Sequence, residues 1–232
     1  MQSLINSAES GSGAPRCDQV RAVLDTLAAA AGLILLSPLL LFAAIAIILE
    51  DGFPVLFRQT RVGRNGTYFQ MLKFRSMRSG IPGWRITAGD DPRLTRVGRV
   101  LRSYKIDELP QLWNVVRGEM SLVGPRPEVP PFVDSSNPSW IAVLKVKPGI
   151  TDLASLVYRN EEEILVRSSD PEAYYSNVVL PAKLALNLQY IQSRSFWRDL
   201  KLIILTLRYS FFPASFEPSR ILRSFPSRTS TR

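Results

Sequence analysis

Residues 26–49 read TLAAAAGLILLSPLLLFAAIAIIL, twenty-four positions without a charged side chain. As one helix rising 1.5 Å per residue they extend about 36 Å, enough to cross a hydrocarbon core of about 30 Å. The run is too long and too far from the N-terminus for a typical signal peptide. At its middle stands Ser37-Pro38. Proline removes a backbone donor, clashes with the preceding turn and kinks a helix, and the serine hydroxyl is placed to satisfy a carbonyl that the break frees. Basic residues flank both ends, Arg16 and Arg21 before the run and Arg58, Arg61 and Arg64 after it. The positive-inside tendency wants such residues on one side of a membrane. The pattern therefore leaves two topologies open, a plain span and a helix that bends at Ser37-Pro38 and returns to the same face.

Beyond the run, the alternation at 55–57 and 68–74 predicts short strands around Gly63-Arg64-Asn65-Gly66, whose Asn-Gly is a hairpin signal. A Gly/Pro-broken loop at 80–83 follows, and Asp91-Pro92 reads as a helix cap and first turn. Arg93, Arg96, Arg99 and Arg102 recur every third position, a slowly drifting row on one helical side. A helix is expected at 111–117, ended by Gly118, with the loop Gly124-Pro125-Arg126-Pro127 after it. The 130–138 stretch reads as loop and Pro148-Gly149 as a turn. Glu161, Glu162 and Glu163 mark a helix N-terminus, with a metal site the weaker alternative. Leu184, Leu188 and Ile191 share a helical face, and 197–207 is an apolar helix suited to a core or a membrane surface. The division expected is a disordered start over 1–15, a membrane helix over 16–50, a catalytic domain over 51–210 and a disordered basic tail over 211–232.

Charge narrows the chemistry. The 232 residues hold 29 Lys and Arg against 20 Asp and Glu, a formal +9. Residues 58–105 carry 12 Lys and Arg against two acids, so the excess is concentrated there and points to an anionic partner. Histidine is absent, which excludes Ser-His-Asp, Cys-His and histidine-ligated zinc sites. The single cysteine, Cys17, has no histidine to activate it. Asp107 and Glu108 sit amid arginines, with Arg102 upstream and Arg117 and Arg126 downstream. Nearby cations favour ionised carboxylates, as a nucleophile or a metal ligand requires; the plainer alternative is an exposed helix start with acids near the positive dipole end. Without histidine, the economical chemistry is phosphoryl transfer, with a carboxylate attacking phosphorus, a hard cation bridging oxygens and arginines neutralising charge.

These residues resemble a family. Ser37-Pro38, Pro54-Val55-Leu56-Phe57-Arg58-Gln59 with Arg61-Val62-Gly63, Lys73-Phe74-Arg75-Ser76-Met77, Arg96-Val97-Gly98-Arg99, Asp107-Glu108-Leu109-Pro110-Gln111-Leu112-Trp113-Asn114, Ser121-Leu122-Val123-Gly124-Pro125-Arg126-Pro127-Glu128 and Lys147-Pro148-Gly149-Ile150-Thr151 occur in the order seen in the bacterial sugar transferases, the monotopic phosphoglycosyl transferases. The resemblance implies a mainly helical α+β protein. A re-entrant helix broken at Ser37-Pro38 precedes a cytoplasmic catalytic domain with a small β-hairpin and amphipathic interfacial helices, at the bacterial inner membrane. It implies transfer of a phosphosugar from a UDP-sugar to undecaprenyl phosphate with release of UMP, opening the synthesis of an exopolysaccharide or other surface glycan.

In the small members, the aspartate of the dyad forms a covalent phosphosugar intermediate. Carried over, Asp107 is the nucleophile, Glu108 assists, and Asp107 and Glu108 hold Mg²⁺ or Mn²⁺. Arg102, Arg126, Lys73 and Arg75 bind substrate phosphate. Partners implied are the membrane, the two substrates and downstream glycosyltransferases, and no nucleic acid. The chain departs from many members at Gly149-Ile150-Thr151-Asp152, where a second glycine is common at 152, a segment expected to bear on sugar or nucleotide choice. The rival reading is a non-catalytic membrane-bound adaptor that holds anionic lipid or nucleic acid on its basic face.

Overall fold

The computed structural model describes residues 15–78, 91–212 and 216–225. Of the lead expected over 1–15, residues 1–14 lie outside them, as does the 80–83 loop, and Pro15 opens the first helix. The apolar run forms two helices, α1 (Pro15–Leu35) and α2 (Ser37–Asp51), bent 61° apart at Leu36. No single described helix is long and apolar enough to cross a membrane, whereas the two helices of this bent pair together have the length and apolar composition to do so. The break takes the form its sequence predicts. Pro38 sits in the first turn of α2, where no amide proton is needed, and Ser37 Oγ donates to Ile34 O at 2.7 Å. Much of the pair's surface is apolar and exposed, Ile34, Leu35, Phe42 and Leu49 among it.

After the hairpin helices come strands β1 (Leu56–Val62) and β2 (Tyr68–Phe74), antiparallel in a register that runs from Leu56 opposite Phe74 to Val62 opposite Tyr68. The first strand is four residues longer than its apolar stretch implied, because Arg58, Gln59, Thr60 and Arg61 pair by backbone although their side chains are polar. Helix α3 (Arg96–Ser103) is capped by Thr95, whose hydroxyl accepts from Gly98 N at 2.8 Å. Asp91, the expected cap, instead binds the Arg93 amide and guanidinium, which leaves Arg93 outside the helical row. Glu50 at the end of α2 accepts from both Arg96 N and Val97 N at 2.7 Å, an acid at a positive dipole end that ties α3 to the hairpin.

A turn at Ile106–Glu108 leads into α4 (Gln111–Val116), then strand β3 (Ser121–Val123), α5 (Pro138–Leu144) and strand β4 (Gly149–Thr151). β3 and β4 pair in parallel, Ser121 opposite Gly149 and Val123 opposite Thr151. Pro148-Gly149 is thus the entrance to a strand where a turn was expected. Three residues are too few for alternation to signal, and the pairing depends on glycine. A Cβ on Gly149 would stand 2.1 Å from Gly124 N. The chain closes with α6 (Leu153–Val157), α7 (Glu161–Val166), α8 (Pro171–Tyr174), a π-helical turn at Tyr175–Val179, α9 (Leu180–Gln192), α10 (Phe196–Phe211) and α11 (Pro218–Ser224).

The last helix revises the expected disordered tail. Ile221 and Phe225 are buried with Val123, Leu153, Leu156, Tyr190, Leu202 and Tyr209 in one cluster. One apolar side chain on a seven-residue helix and another just past its end sufficed, and Ser, Pro and Arg composition masked them. Two further clusters seat the hairpin. Ala29 of α1 packs with Phe69, Met71, Val115 and Met120, and Ala43 and Ile47 of α2 pack with Phe74 and Leu101. The architecture is α+β and mainly helical, as the sequence implies.

Candidate active site

Three segments meet around Asp107 and Glu108. The first is the dyad's own turn. Lys105 enters it in the left-handed conformation, φ 59°, ψ 22°, a region that costs a non-glycine residue energy and recurs at functional sites. It reverses the chain out of α3, so that Asp107 is buried at 5% exposure rather than displayed on a helix end. The second is β2, which carries Lys73. The third is the loop after β3, which carries Arg126.

The two carboxylates are treated differently. Glu108 receives a two-pronged ion pair from Arg126, Nη2 to Oε1 at 2.6 Å and Nη1 to Oε2 at 3.2 Å, and Lys73 Nζ stands 3.4 Å from Oε1. Asp107 Oδ1 is buried and has no hydrogen-bond partner among the described residues. Burial pushes the Asp107 carboxyl above its ordinary value, and the adjacent Glu108 charge adds to this against the cations of Lys73, Lys105 and Arg102. For Glu108, burial acts in the same direction, but Arg126 and Lys73 outweigh it and hold the group well below the usual carboxylate range. Burial brings Lys73 down to about 8 despite Glu108; Arg126, in contrast, is pushed up, its own burial being overcome by Glu108 and then Asp152. The expectation that cations favour ionisation of both acids thus holds for Glu108 and reverses for Asp107. In the sequence the arginines flank both residues; in space they point at one.

Arg102 reaches towards the site from α3. Gly98 lets that helix lie against the chain after β2, since a Cβ there would be 2.1 Å from Ser76 O. The Arg102 guanidinium meets Ser76 Oγ at 3.0 Å, Glu162 Oε1 at 3.1 Å and Met77 Sδ at 3.7 Å. A carboxylate from α7 therefore stands where a phosphate was expected. Arg75 departs further from expectation. Only 7% exposed, it donates to Asp51 O at 2.7 Å and Gly52 O at 2.6 Å and pairs with Asp51 Oδ2 at 3.2 Å. It fastens the end of α2, and the structure brings Lys73, Arg102 and Arg126 to the dyad but not Arg75. Ser37 and Pro38 form the hairpin break described above.

Residues the sequence did not single out build the frame. Asp152, with no exposed surface, accepts from Arg126 N at 3.0 Å and from Ser155 N at 2.5 Å. It caps α6 and fixes the backbone of the arginine that grips Glu108. On the other side of Arg126, Arg61 Nη1 donates to Pro127 O at 2.9 Å, and Glu128 receives Tyr175 Oη at 2.7 Å. Asn114 staples α4 to β2, accepting from Leu72 N at 3.0 Å and donating to Gln70 O at 2.8 Å. Asp152 was visible only as a departure from a pattern. Tyr175, 47 residues from its partner in the chain, gave no local signal.

A buried nucleophile-type carboxyl, a neighbour kept ionised by two cations, and a further arginine can receive a phosphoryl group and neutralise it. Among the described residues no three His, Cys, Asp or Glu side chains cluster as a metal site. A Mg²⁺ that takes most of its ligands from substrate phosphates and water needs only one or two carboxylates, however, and the idle Oδ1 of Asp107 is a hard oxygen of that kind.

Residues 17–213 match the family described as bacterial sugar transferase. A protein of Caulobacter vibrioides named UDP-glucose:undecaprenyl-phosphate glucose-1-phosphate transferase is 43% identical over 197 residues, covering 82% of this chain and 69% of that protein. The undecaprenyl-phosphate glucose phosphotransferase of Komagataeibacter xylinus is 41% identical over 197 residues, 81% of this chain and 35% of its own length. The exopolysaccharide production protein ExoY of Rhizobium meliloti is 33% identical over 216 residues, with 86% and 88% covered. The chain thus spans about a third of the Komagataeibacter protein and most of the other two.

Proposed function

Since the chain belongs to the bacterial sugar transferase family, we propose that it transfers a sugar-1-phosphate from a UDP-sugar to undecaprenyl phosphate, releasing UMP, at the cytoplasmic face of the inner membrane, as the first step of an exopolysaccharide or related glycan. Relatives named for glucose and for N-acetylgalactosamine transfer share the lipid acceptor. The observation that carries the reading is the division of labour in the dyad, with Asp107 buried beside a Glu108 held ionised by Arg126 and Lys73.

In the first half-reaction, an Asp107 carboxylate oxygen attacks the phosphorus that bears the sugar. A new O–P bond forms to Asp107, and the bond to the bridging oxygen breaks and leaves on UMP. An oxygen of undecaprenyl phosphate then attacks the same phosphorus, the aspartyl O–P bond breaks, and the carboxylate is regenerated. Glu108 keeps Arg126 and Lys73 in place, and these cations, with Arg102, balance the charge of the phosphates. Mg²⁺ held at Asp107 Oδ1, the dyad oxygen that Arg126 and Lys73 leave unengaged, rather than by both acids as expected, would neutralise the diphosphate of the donor.

The hairpin is read as re-entrant, in keeping with its bend and with cations at both flanks. Phe196, Trp197, Leu200, Ile204, Leu207 and Phe211 form an exposed stripe along α10 and suit an interfacial helix. Intact-mass analysis of the detergent-solubilised protein with Mg²⁺ and a panel of UDP-sugars tests the chemistry. A gain of one phosphosugar, absent in Asp107→Asn, is expected. UMP release with no adduct at any time would refute the covalent step, and no UMP release with any donor would refute the activity.

A further inference from the structure

One buried polar side chain beside the dyad has no task in the fold. The Ile106–Glu108 turn continues into α4 without a break in direction. Leu109 (φ −56°, ψ −33°) and Pro110 (φ −58°, ψ −18°) keep helical torsions. The amides of Leu109, Leu112 and Trp113 donate three residues back at 3.2, 3.0 and 3.0 Å. Asp107 and Gln111 are four positions apart on this rise. Bonds to the third residue back are those of a 3₁₀ turn, with about three residues per turn, so Gln111 stands a little over one turn along from Asp107.

Gln111 has no exposed surface, yet neither Oε1 nor Nε2 has a hydrogen-bond partner among the described residues. Buried amides are nearly always paired, and one left idle carries an uncompensated loss of solvation. Asn114, three residues on and equally buried, shows what a structural amide does here. Its Oδ1 accepts from Leu72 N, and its Nδ2 serves Gln70 O at 2.8 Å and Glu119 Oε2 at 2.7 Å. Two amides on one short helix are thus treated oppositely. The idle one lies four residues on from Asp107, whose Oδ1 is likewise buried without a partner among the described residues.

We propose that Gln111 is a catalytic residue whose carboxamide N–H donates to a non-bridging oxygen of the phosphoryl group while that group is bonded to Asp107. This rests on the phosphoryl-transfer reading above. Gln111 supplies a neutral donor in addition to Arg126 and Lys73, whose charges are committed to Glu108. It forms and breaks no covalent bond.

The test uses the full-length protein in detergent with Mg²⁺, a UDP-sugar that turns over and undecaprenyl phosphate. UMP release and thermal unfolding are followed for Gln111→Leu, Gln111→Glu and, as a structural control, Asn114→Leu. Leucine at 111 removes the unpaired groups, so the unfolding temperature is expected to hold or rise while kcat falls 10²- to 10³-fold, the range for losing one such donor. Glutamate keeps the shape but places a carboxylate against phosphate, and is expected to fall at least as far. Asn114→Leu is expected to lower the unfolding temperature. An unfolding temperature for Gln111→Leu that drops as it does for Asn114→Leu, with kcat per folded molecule within threefold of the parent, would overturn the proposal. So would normal turnover of Gln111→Glu. UMP release without an adduct would remove the covalent step and with it the donation proposed for Gln111, while leaving the transfer reading in place; no UMP release from the parent protein would end both readings.

Discussion

Replacing Asp152 by glycine, the residue that the resemblance implied at this position, separates a positioning role from a specificity role. Asp152 is fully buried and accepts two backbone amides, Arg126 N at 3.0 Å and Ser155 N at 2.5 Å. With glycine as the replacement, loss of the α6 cap costs only about a few tenths of a kcal/mol. Leaving the Arg126 amide unpaired costs a further 1–3 kcal/mol or so, for a total of about 1–3 kcal/mol. Asp152→Asn retains an acceptor for one amide and is expected to lose about half of that. The Arg126 guanidinium reaches Glu108 from a backbone that Asp152 anchors, so kcat should fall in the same order, glycine below asparagine below aspartate, with the preference among UDP-sugars unchanged. Thermal unfolding in detergent and UMP release with two or more donors measure both quantities. A glycine variant of unaltered stability and kcat that has changed its preferred sugar would refute the reasoning and return residue 152 to the role the sequence suggested.

Three other outcomes follow from the geometry. Arg75→Met should lower stability by about 2–3 kcal/mol, through loss of its charge-assisted bonds to Asp51 and Gly52, with little change in KM for the UDP-sugar; a raised KM at unchanged stability would place Arg75 at the substrate after all. Glu162→Gln takes a carboxylate from Arg102 at 3.1 Å in a half-exposed pair worth up to about 1 kcal/mol, so KM for the anionic substrates should fall by up to about fivefold, which initial rates would show. In a pH series, kcat should rise as Asp107 ionises, at a pH above the ordinary aspartate value, and fall above about 8 as Lys73 loses its proton. Between about 8 and the ordinary lysine value of 10.5 the unfolded chain binds a proton at this lysine that the folded chain does not, so the lysine's own contribution to stability grows with pH there. The alkaline loss of activity should therefore precede unfolding, and Lys73→Arg should move that limb upward.

What the sequence displayed and what it hid divide along a physical line. Features that local chemistry dictates were legible. An apolar run with Ser-Pro inside it bends, and the serine hydroxyl caps the freed carbonyl; an Asn-Gly between alternating stretches turns. Hidden were the features that depend on two distant segments touching. β3 and β4 are three residues each and exist because glycines at 124 and 149 let two backbones meet. The tail folds because Ile221 and Phe225 find a core built from β3, α6, α9 and α10. Proximity in sequence also misled in one respect, since it cannot say which of two adjacent acids faces the cations. Asp107 and Glu108 have the same neighbours along the chain, yet Glu108 takes Arg126 and Lys73 while Asp107 turns into a site where burial dominates. That asymmetry makes one carboxylate an anchor and leaves the other free to react, and it arises from the left-handed turn at Lys105 and the Asp152 hold on Arg126, neither of which a motif expresses. Gln111 extends the same logic. It lies inside the most recognisable motif of the chain, and only its lack of partners, set against the full complement of Asn114, separates a residue that serves the fold from one placed to serve the reaction.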